Sequence, residues 1–272
     1  MISKNLIQRL IVAAVFIPLL LYVFHLGGIV FWSVVEVIVI LSVWEFFTLT
    51  KIKLYWWQKL LLVGLAAFPA ISYQFLEGRF LLEALLATMF VTTLPYTFTR
   101  SLGDVSRSIS MGFFGVTYLS LGLGCLILLR NGNVVAPELA AGWVTFLFAA
   151  IWIIDTAAYY VGVKRGRNKL SPAISPNKTV QGFFGGFLGA VLAAGIFSVI
   201  LLKEVGFVGL ILPAMVIAFF GQLGDLVESV FKREMGVKDS SNLIPGHGGI
   251  LDRFDSLVFA APALYLYLLY CQ

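Results

Sequence analysis

Runs of about 20 apolar residues recur along nearly the whole chain, and that repetition constrains the fold more than any other feature. They fall near residues 6–26, 29–50, 56–76, 80–99, 109–129, 139–162, 180–201, 206–231 and 251–270. A helix of roughly 20 residues crosses a hydrocarbon core about 30 Å thick. Of the 272 residues, 60% are hydrophobic and only 12% are charged, whereas a soluble domain carries about a quarter charged residues. The period-two alternation of a membrane barrel is absent. The chain is therefore read as an all-α integral membrane protein, a polytopic bundle of about nine transmembrane helices. The first run is long and closely followed by the second, so it is read as a retained helix and not a cleaved leader. Its two cysteines, Cys125 and Cys271, have neither disulfide-framework nor thiolate-metal spacing.

Basic residues near helix ends report orientation. Nine alternating spans put all but Arg79, Arg130 and Lys203 of the 19 basic residues on the side of the N-terminus. This asymmetry predicts a cytoplasmic N-terminus and a C-terminus on the opposite side. Two connections concentrate the polar chemistry on the cytoplasmic face. Residues 163–179, "VKRGRNKLSPAISPNKT", hold five basic residues and no acid, and residues 232–250 run into a Pro-Gly-His-Gly-Gly turn. The expected organisation is a scaffold of helices over 1–108 and a catalytic region over 109–272.

Ionisable groups at membrane depth are costly and need partners or a function. Glu36, Glu45 and Glu83 are read as structural, with Glu45 snorkelling near the interface. Asp155, Asp225, Glu228, Asp252 and Asp255 fall at helix ends on the basic side. Asp225, Ser229 and Lys232 share one helix face, as do Asp252 and Asp255. Grouped carboxylates supply hard oxygen ligands for Mg²⁺, with room for a second cation. The basic rim suits a polyanion, and the two together suit phosphoryl or nucleotidyl transfer. Gly246, Gly248 and Gly249 can adopt positive φ and bring N–H groups near an anion. His247 is open between proton shuttle, phosphate donor and turn residue. "SPNKT", Ser175–Thr179, forms a second loop offering Ser175 and Lys178. The spacings Gly182/Gly186 and Gly185/Gly189 permit close helix packing within the chain or in a homodimer.

The stretch "SVFKREMGVKDSSNLIPGHGGILDRFD", Ser229–Asp255, resembles the signature of the phosphatidate cytidylyltransferase (CDP-diacylglycerol synthase) family. "DTAAYYVGVKRGRNKLSPAISPNKTVQGFFGG" and "GQLGD" are similar to further blocks of that family, so the resemblance covers about 150–260. Gln181 departs from it, standing where the family more often has Glu. The resemblance implies a membrane enzyme joining CTP to phosphatidic acid, giving CDP-diacylglycerol and pyrophosphate, with Mg²⁺. It carries the metal role onto Asp225 and Asp252, with Asp255 nearby. Candidate catalytic groups are Asp225, Asp252, Asp255, Lys232 and His247. Candidate substrate contacts are Ser175, Lys178, Ser229, Arg233, Lys238, Asp239 and Arg253. The partners implied are CTP, phosphatidic acid and the bilayer, with no nucleic acid. The implied location is a bacterial cytoplasmic membrane, with the site facing the cytoplasm.

Two rival readings remain open on the residues alone. A cation-coupled transporter also uses intramembrane acids, but no internal repeat is visible and the acids gather at one face. A CTP-dependent lipid kinase would share the nucleotide and transfer its γ-phosphoryl group instead.

Overall fold

The computed structural model describes residues 16–98, 103–241, 243 and 248–271. Among these, the elements run α1 (Phe16–Leu26), α2 (Gly28–Leu49), α3 (Trp56–Phe75), α4 (Leu81–Thr93), α5 (Val105–Arg130) and α6 (Pro137–Arg165). A short hairpin follows, β1 (Lys169–Ser171) and β2 (Ser175–Thr179), then α7 (Val180–Ile200), α8 (Gly206–Glu234) and α9 (Leu251–Cys271).

Among the described residues, seven segments are long and apolar enough to cross a bilayer: α2, α4 with its 3-10 extension to Phe98, α5, α6, α7, α8 and α9. The chain is thus a polytopic, nearly all-α membrane protein. The expected first span is described only as the short α1. The expected third, α3, has 20 residues with Pro69 inside it, but is not among the seven. Gln58, Lys59 and Gln74 dilute its apolar character. At 29 residues each, α6 and α8 are about 44 Å long, more than a hydrocarbon core requires. Both end in basic residues, Lys164 and Arg165 on α6 and Lys232 and Arg233 on α8.

Packing divides the chain into two units. The first comprises residues 1–127 with 239–253. Its core holds Phe31, Val39, Val43, Phe46, Leu62, Leu119 and Leu123. Gly115 on α5 makes room for Phe46 of α2, since a Cβ there would lie 2.5 Å from the ring. Buried Gln58 closes the start of α3 by accepting the Tyr55 N–H at 3.2 Å, and donates to Val91 O on α4 at 2.9 Å.

The second unit comprises residues 128–238 with 254–272. Here the glycine spacings serve packing within the chain. A Cβ on Gly185 would come 2.5 Å from Val161 Cβ, and one on Gly189 would come 2.8 Å from Ala157 Cβ. α7 therefore lies against α6 at a distance that only small residues allow. The connection expected as a loop over 163–179 contains the antiparallel hairpin, in register Lys169 with Thr179 and Ser171 with Ser175. Thr179 then caps α7, its Oγ1 accepting the Gly182 N–H at 3.0 Å. Gln181 accepts from the N–H groups of Arg167 and Asn168 at 3.0 and 3.2 Å. An uncharged amide thus does at this position what a carboxylate would do as an acceptor.

Candidate active site

Within the second unit, α6, the hairpin, α7 and α8 enclose a cavity of about 610 Å³, within the range of small-molecule sites. Its lining mixes polar residues, Asp155, Lys169, Asn177, Lys178, Gln222 and Asp225, with apolar and aromatic ones, Tyr159, Val163, Leu170 and Phe183. Each polar group arrives by a separate structural device. Asp155 and Asp225 project from long helices. Lys178 is placed by the hairpin register, one residue before the Thr179 cap. Gln222 is fixed by donating to Ala218 O at 3.0 Å and Phe183 O at 3.3 Å.

Lys178 Nζ meets Asp225 Oδ2 at 2.6 Å, with both side chains about one-third exposed to the cavity. Ser229 Oγ, one turn along α8, lies 3.4 Å from Asp225 Oδ1. Asp225 is also within electrostatic range of Asp155 and Asp255, and Asp255 within range of Glu228 and Lys232. Asp255 Oδ1 accepts the Ser256 N–H at 2.6 Å. Glu228 and Lys232 form a buried ion pair at 2.5 Å. Close approach of α8 and α9 brings this group together, for a Cβ on Gly224 would lie 2.6 Å from Asp255 O.

Four carboxylates in this cluster face two ammonium groups, an excess of two negative charges. That balance and the oxygen donors fit a divalent cation. Among the described residues no three His, Cys, Asp or Glu side chains are gathered around one point. Mg²⁺ does not require such a cage, because it is commonly held by one or two carboxylates with water and substrate phosphates. Asp225 and Asp255 are the residues of this unit that would hold it.

Other expected residues of this unit have different surroundings. Arg233 is a brace: its Nε donates to Ile174 O in the hairpin turn at 3.0 Å and its Nη1 to Val237 O at 2.9 Å. Ser175 begins β2 and is not part of the cavity lining. Lys238 is exposed at the end of the unit. In the first unit, Asp239 and Arg253 are exposed, and His247 lies outside the described residues.

Asp252, also in the first unit, organises its own loop. Its Oδ2 accepts from Ser240 N at 2.9 Å, Ser240 Oγ at 3.0 Å and Gly249 N at 2.8 Å. Gly248 takes φ +81°, and a Cβ there would sit 2.7 Å from the same oxygen.

Glu45, expected to snorkel, is instead only 5% exposed. Its Oε1 accepts from Ser241 Oγ at 2.7 Å and Ile250 N at 3.0 Å, and its Oε2 from Ser240 Oγ at 3.0 Å and Leu251 N at 2.9 Å. The N–H groups of Gly249, Ile250 and Leu251 are thus taken by the protein's own carboxylates. No local pattern marks Glu45 for this task, because its partners are about 200 residues away.

The sequence profile described as "Cytidylyltransferase family" matches residues 7–271. The phosphatidate cytidylyltransferase of Bacillus subtilis (strain 168) is 33% identical over 264 residues, 96% of this chain and 97% of that protein. The phosphatidate cytidylyltransferase of Staphylococcus saprophyticus is 37% identical over 188 residues, 69% of each chain. That of Staphylococcus epidermidis (strain ATCC 12228 / FDA PCI 1200) is 49% identical over 127 residues, 47% of this chain and 49% of that protein. A profile match over nearly the whole length and a relative aligned from end to end place the likeness in the entire membrane fold, beyond the charged signature alone, and the chain belongs to the cytidylyltransferase family.

Proposed function

We propose that this chain transfers the cytidylyl group of CTP to phosphatidic acid, releasing pyrophosphate and forming CDP-diacylglycerol for membrane phospholipid synthesis. The observation that carries the reading is the cavity of mixed lining, which brings Lys178, Lys169 and Asp225 together with Tyr159, Val163 and Phe183. A lipid phosphate and a nucleotide need such a place, where charge and hydrocarbon meet. Relatives named phosphatidate cytidylyltransferase supply the substrates.

In the reaction a phosphatidate oxygen forms a bond to the α-phosphorus of CTP while the bond to the β-phosphate oxygen breaks. Both reactants are anions, so their approach must be offset by cationic groups. Lys178 and Lys169 do this from the cavity wall. Asp225 orients the Lys178 ammonium, and Ser229 offers a hydroxyl beside Asp225. A divalent cation held by Asp225 and Asp255 would neutralise charge on the phosphate oxygens and the departing pyrophosphate. The resemblance puts the metal on Asp225 and Asp252 with Asp255 nearby, and the phosphate contacts expected from the sequence are Lys232, Arg233, Lys238 and Arg253, with Lys178 and Ser175 in the hairpin. No general base is required, because the phosphatidate headgroup already carries its negative charge near neutral pH.

With the nine crossings and cytoplasmic N-terminus expected from the apolar runs and basic residues, the hairpin and the loop before α9 lie on the cytoplasmic side, where CTP is dissolved. In that topology residues 109–272 hold the chemistry and the preceding helices support it.

The test is a transfer assay on detergent-purified protein with phosphatidic acid and α-labelled CTP, with and without Mg²⁺. Label is expected in the lipid fraction only with the metal, and is expected to be lost in Asp225→Asn. Phosphorylated lipid without α-label would instead indicate a kinase. An absence of lipid labelling by folded protein would overturn the proposal.

A further inference from the structure

Glu45, on α2, accepts four hydrogen bonds from the segment 240–251. Its location runs against the preference of its own helix. It sits about one turn before Leu49, the C-terminal residue of α2, where a carboxylate is disfavoured by the helix dipole. The opposite holds at the start of α9, where the N–H groups of the first turn lack helical partners. Glu45 takes the N–H of Ile250 and Leu251 and so caps α9 from a distant part of the chain.

The same carboxylate fixes the loop ahead of that helix. Ser240 Oγ stands 3.0 Å from Glu45 Oε2 and 3.0 Å from Asp252 Oδ2. A hydroxyl has one proton, so two carboxylates share a single donor there, and moving either displaces Ser240. Gly249 packs into the same corner: a Cβ on it would overlap Ser240 Oγ and Glu45 Oε2. The carboxylate of Asp252 is therefore held on a frame that Glu45 completes.

We propose that Glu45 is a positioning residue for cytidylyl transfer, fixing Ser240, Ser241 and the start of α9 and through them the orientation of Asp252. The inference rests on the transferase reading for its catalytic part and on the hydrogen bonds alone for its structural part. Glu45→Gln keeps the shape but leaves an NH₂ facing a backbone N–H that only an acceptor can satisfy. The experiment joins hydrogen exchange of the purified full chain with steady-state transfer kinetics. In Glu45→Gln the amides of 240–251 are expected to exchange about tenfold faster or more, with α6 and α7 unchanged. Turnover, kcat, is expected to fall about tenfold or more, with a smaller change in the KM for CTP. Ser241→Ala, which removes one of the four donors, is expected to give a weaker form of both effects. It keeps the test open if Glu45→Gln does not fold. Glu45→Asp retains the charge and is expected to recover part of the lost turnover.

Unchanged exchange in 240–251 would overturn the inference, as would exchange raised equally across the whole protein. Faster loop exchange with wild-type kcat would also overturn it, by making Glu45 merely structural. If the wild-type chain transfers no label, the transferase reading fails, while the exchange data still decide whether Glu45 holds the loop.

Discussion

Lys178 Nζ and Asp225 Oδ2 are 2.6 Å apart, linking the last turn-forming strand before α7 to the face of α8 that lines the cavity. Neutralising either residue alters the charge of the other's surroundings. Lys178→Met is expected to lower kcat/KM on the order of a hundredfold, the scale of losing one preorganised donor to a phosphate oxygen. Lys178→Arg is expected to recover only part, because a planar guanidinium does not reproduce a compact ammonium. Label transfer under substrate-limiting conditions measures both. Wild-type kcat/KM in Lys178→Met would remove Lys178 from the mechanism.

The glycines of α7 are not equivalent, and their substitutions separate packing from propensity. A Cβ at Gly185 would sit 2.5 Å from Val161 Cβ, while at Gly195 it would meet only Phe207 at 3.9 Å. Gly185→Ala forces α6 and α7 apart and is expected to cost about 1–3 kcal/mol, as overpacking does. Gly195→Ala has room and removes backbone freedom from the unfolded chain, so it is expected to be neutral or to stabilise by up to about 1 kcal/mol. Thermal unfolding in one detergent compares the two variants. Equal losses would mean that the close contact with Val161 does not exist.

How much of this was legible in the sequence depends on the range of each interaction. The apolar runs are legible because a bilayer imposes composition on every residue of a span. Ser229 and Asp225 are legible as neighbours because four residues make one helical turn. Lys178 and Asp225 could each be named, from a juxtamembrane loop and from an acid in an apolar run, but their pairing crosses 47 positions and depends on hairpin register. The hairpin itself was hidden in a basic connection, because strands of three and five residues are too short to show a period. Glu45 was misread since an acid near a helix end beside Trp44 looks like an interfacial anchor. Nothing within a turn of it in the sequence points to its partners, which lie about 200 residues away.

At the surface of the first unit, Lys53 Nζ lies 2.9 Å from Asp104 Oδ2, just ahead of α5. Hydrogen bonding and then charge from Lys53 hold the Asp104 carboxyl below its ordinary value of 3.8. A carboxyl group with a lower pKa in the folded chain stabilises the fold fully above its unfolded pKa. That contribution is lost as pH falls through the folded value. Both groups are well exposed, so the effect is small. The Tm gap between wild type and Asp104→Asn is expected to be present at neutral pH and to close below about pH 4. Melting curves from pH 7 down to pH 2 check it, and a gap independent of pH would show that the pair is not formed.

Lys232 was expected to contact phosphate, yet its ammonium is paired with Glu228 at 2.5 Å, and the two side chains are 10% and 1% exposed. Removing one partner of a buried pair leaves the other charge in a medium that cannot solvate it, at a cost of about 3–5 kcal/mol. Lys232→Met is therefore expected to lower the melting temperature sharply. Glu228→Gln combined with Lys232→Met removes both charges and is expected to regain most of that stability, since a buried pair and an apolar replacement differ little. The kinetics of the double variant then separate the two roles of the lysine. If Lys232 contacts a phosphate, the refolded double variant stays impaired in kcat/KM. If its task is to balance Glu228, stability and transfer return together.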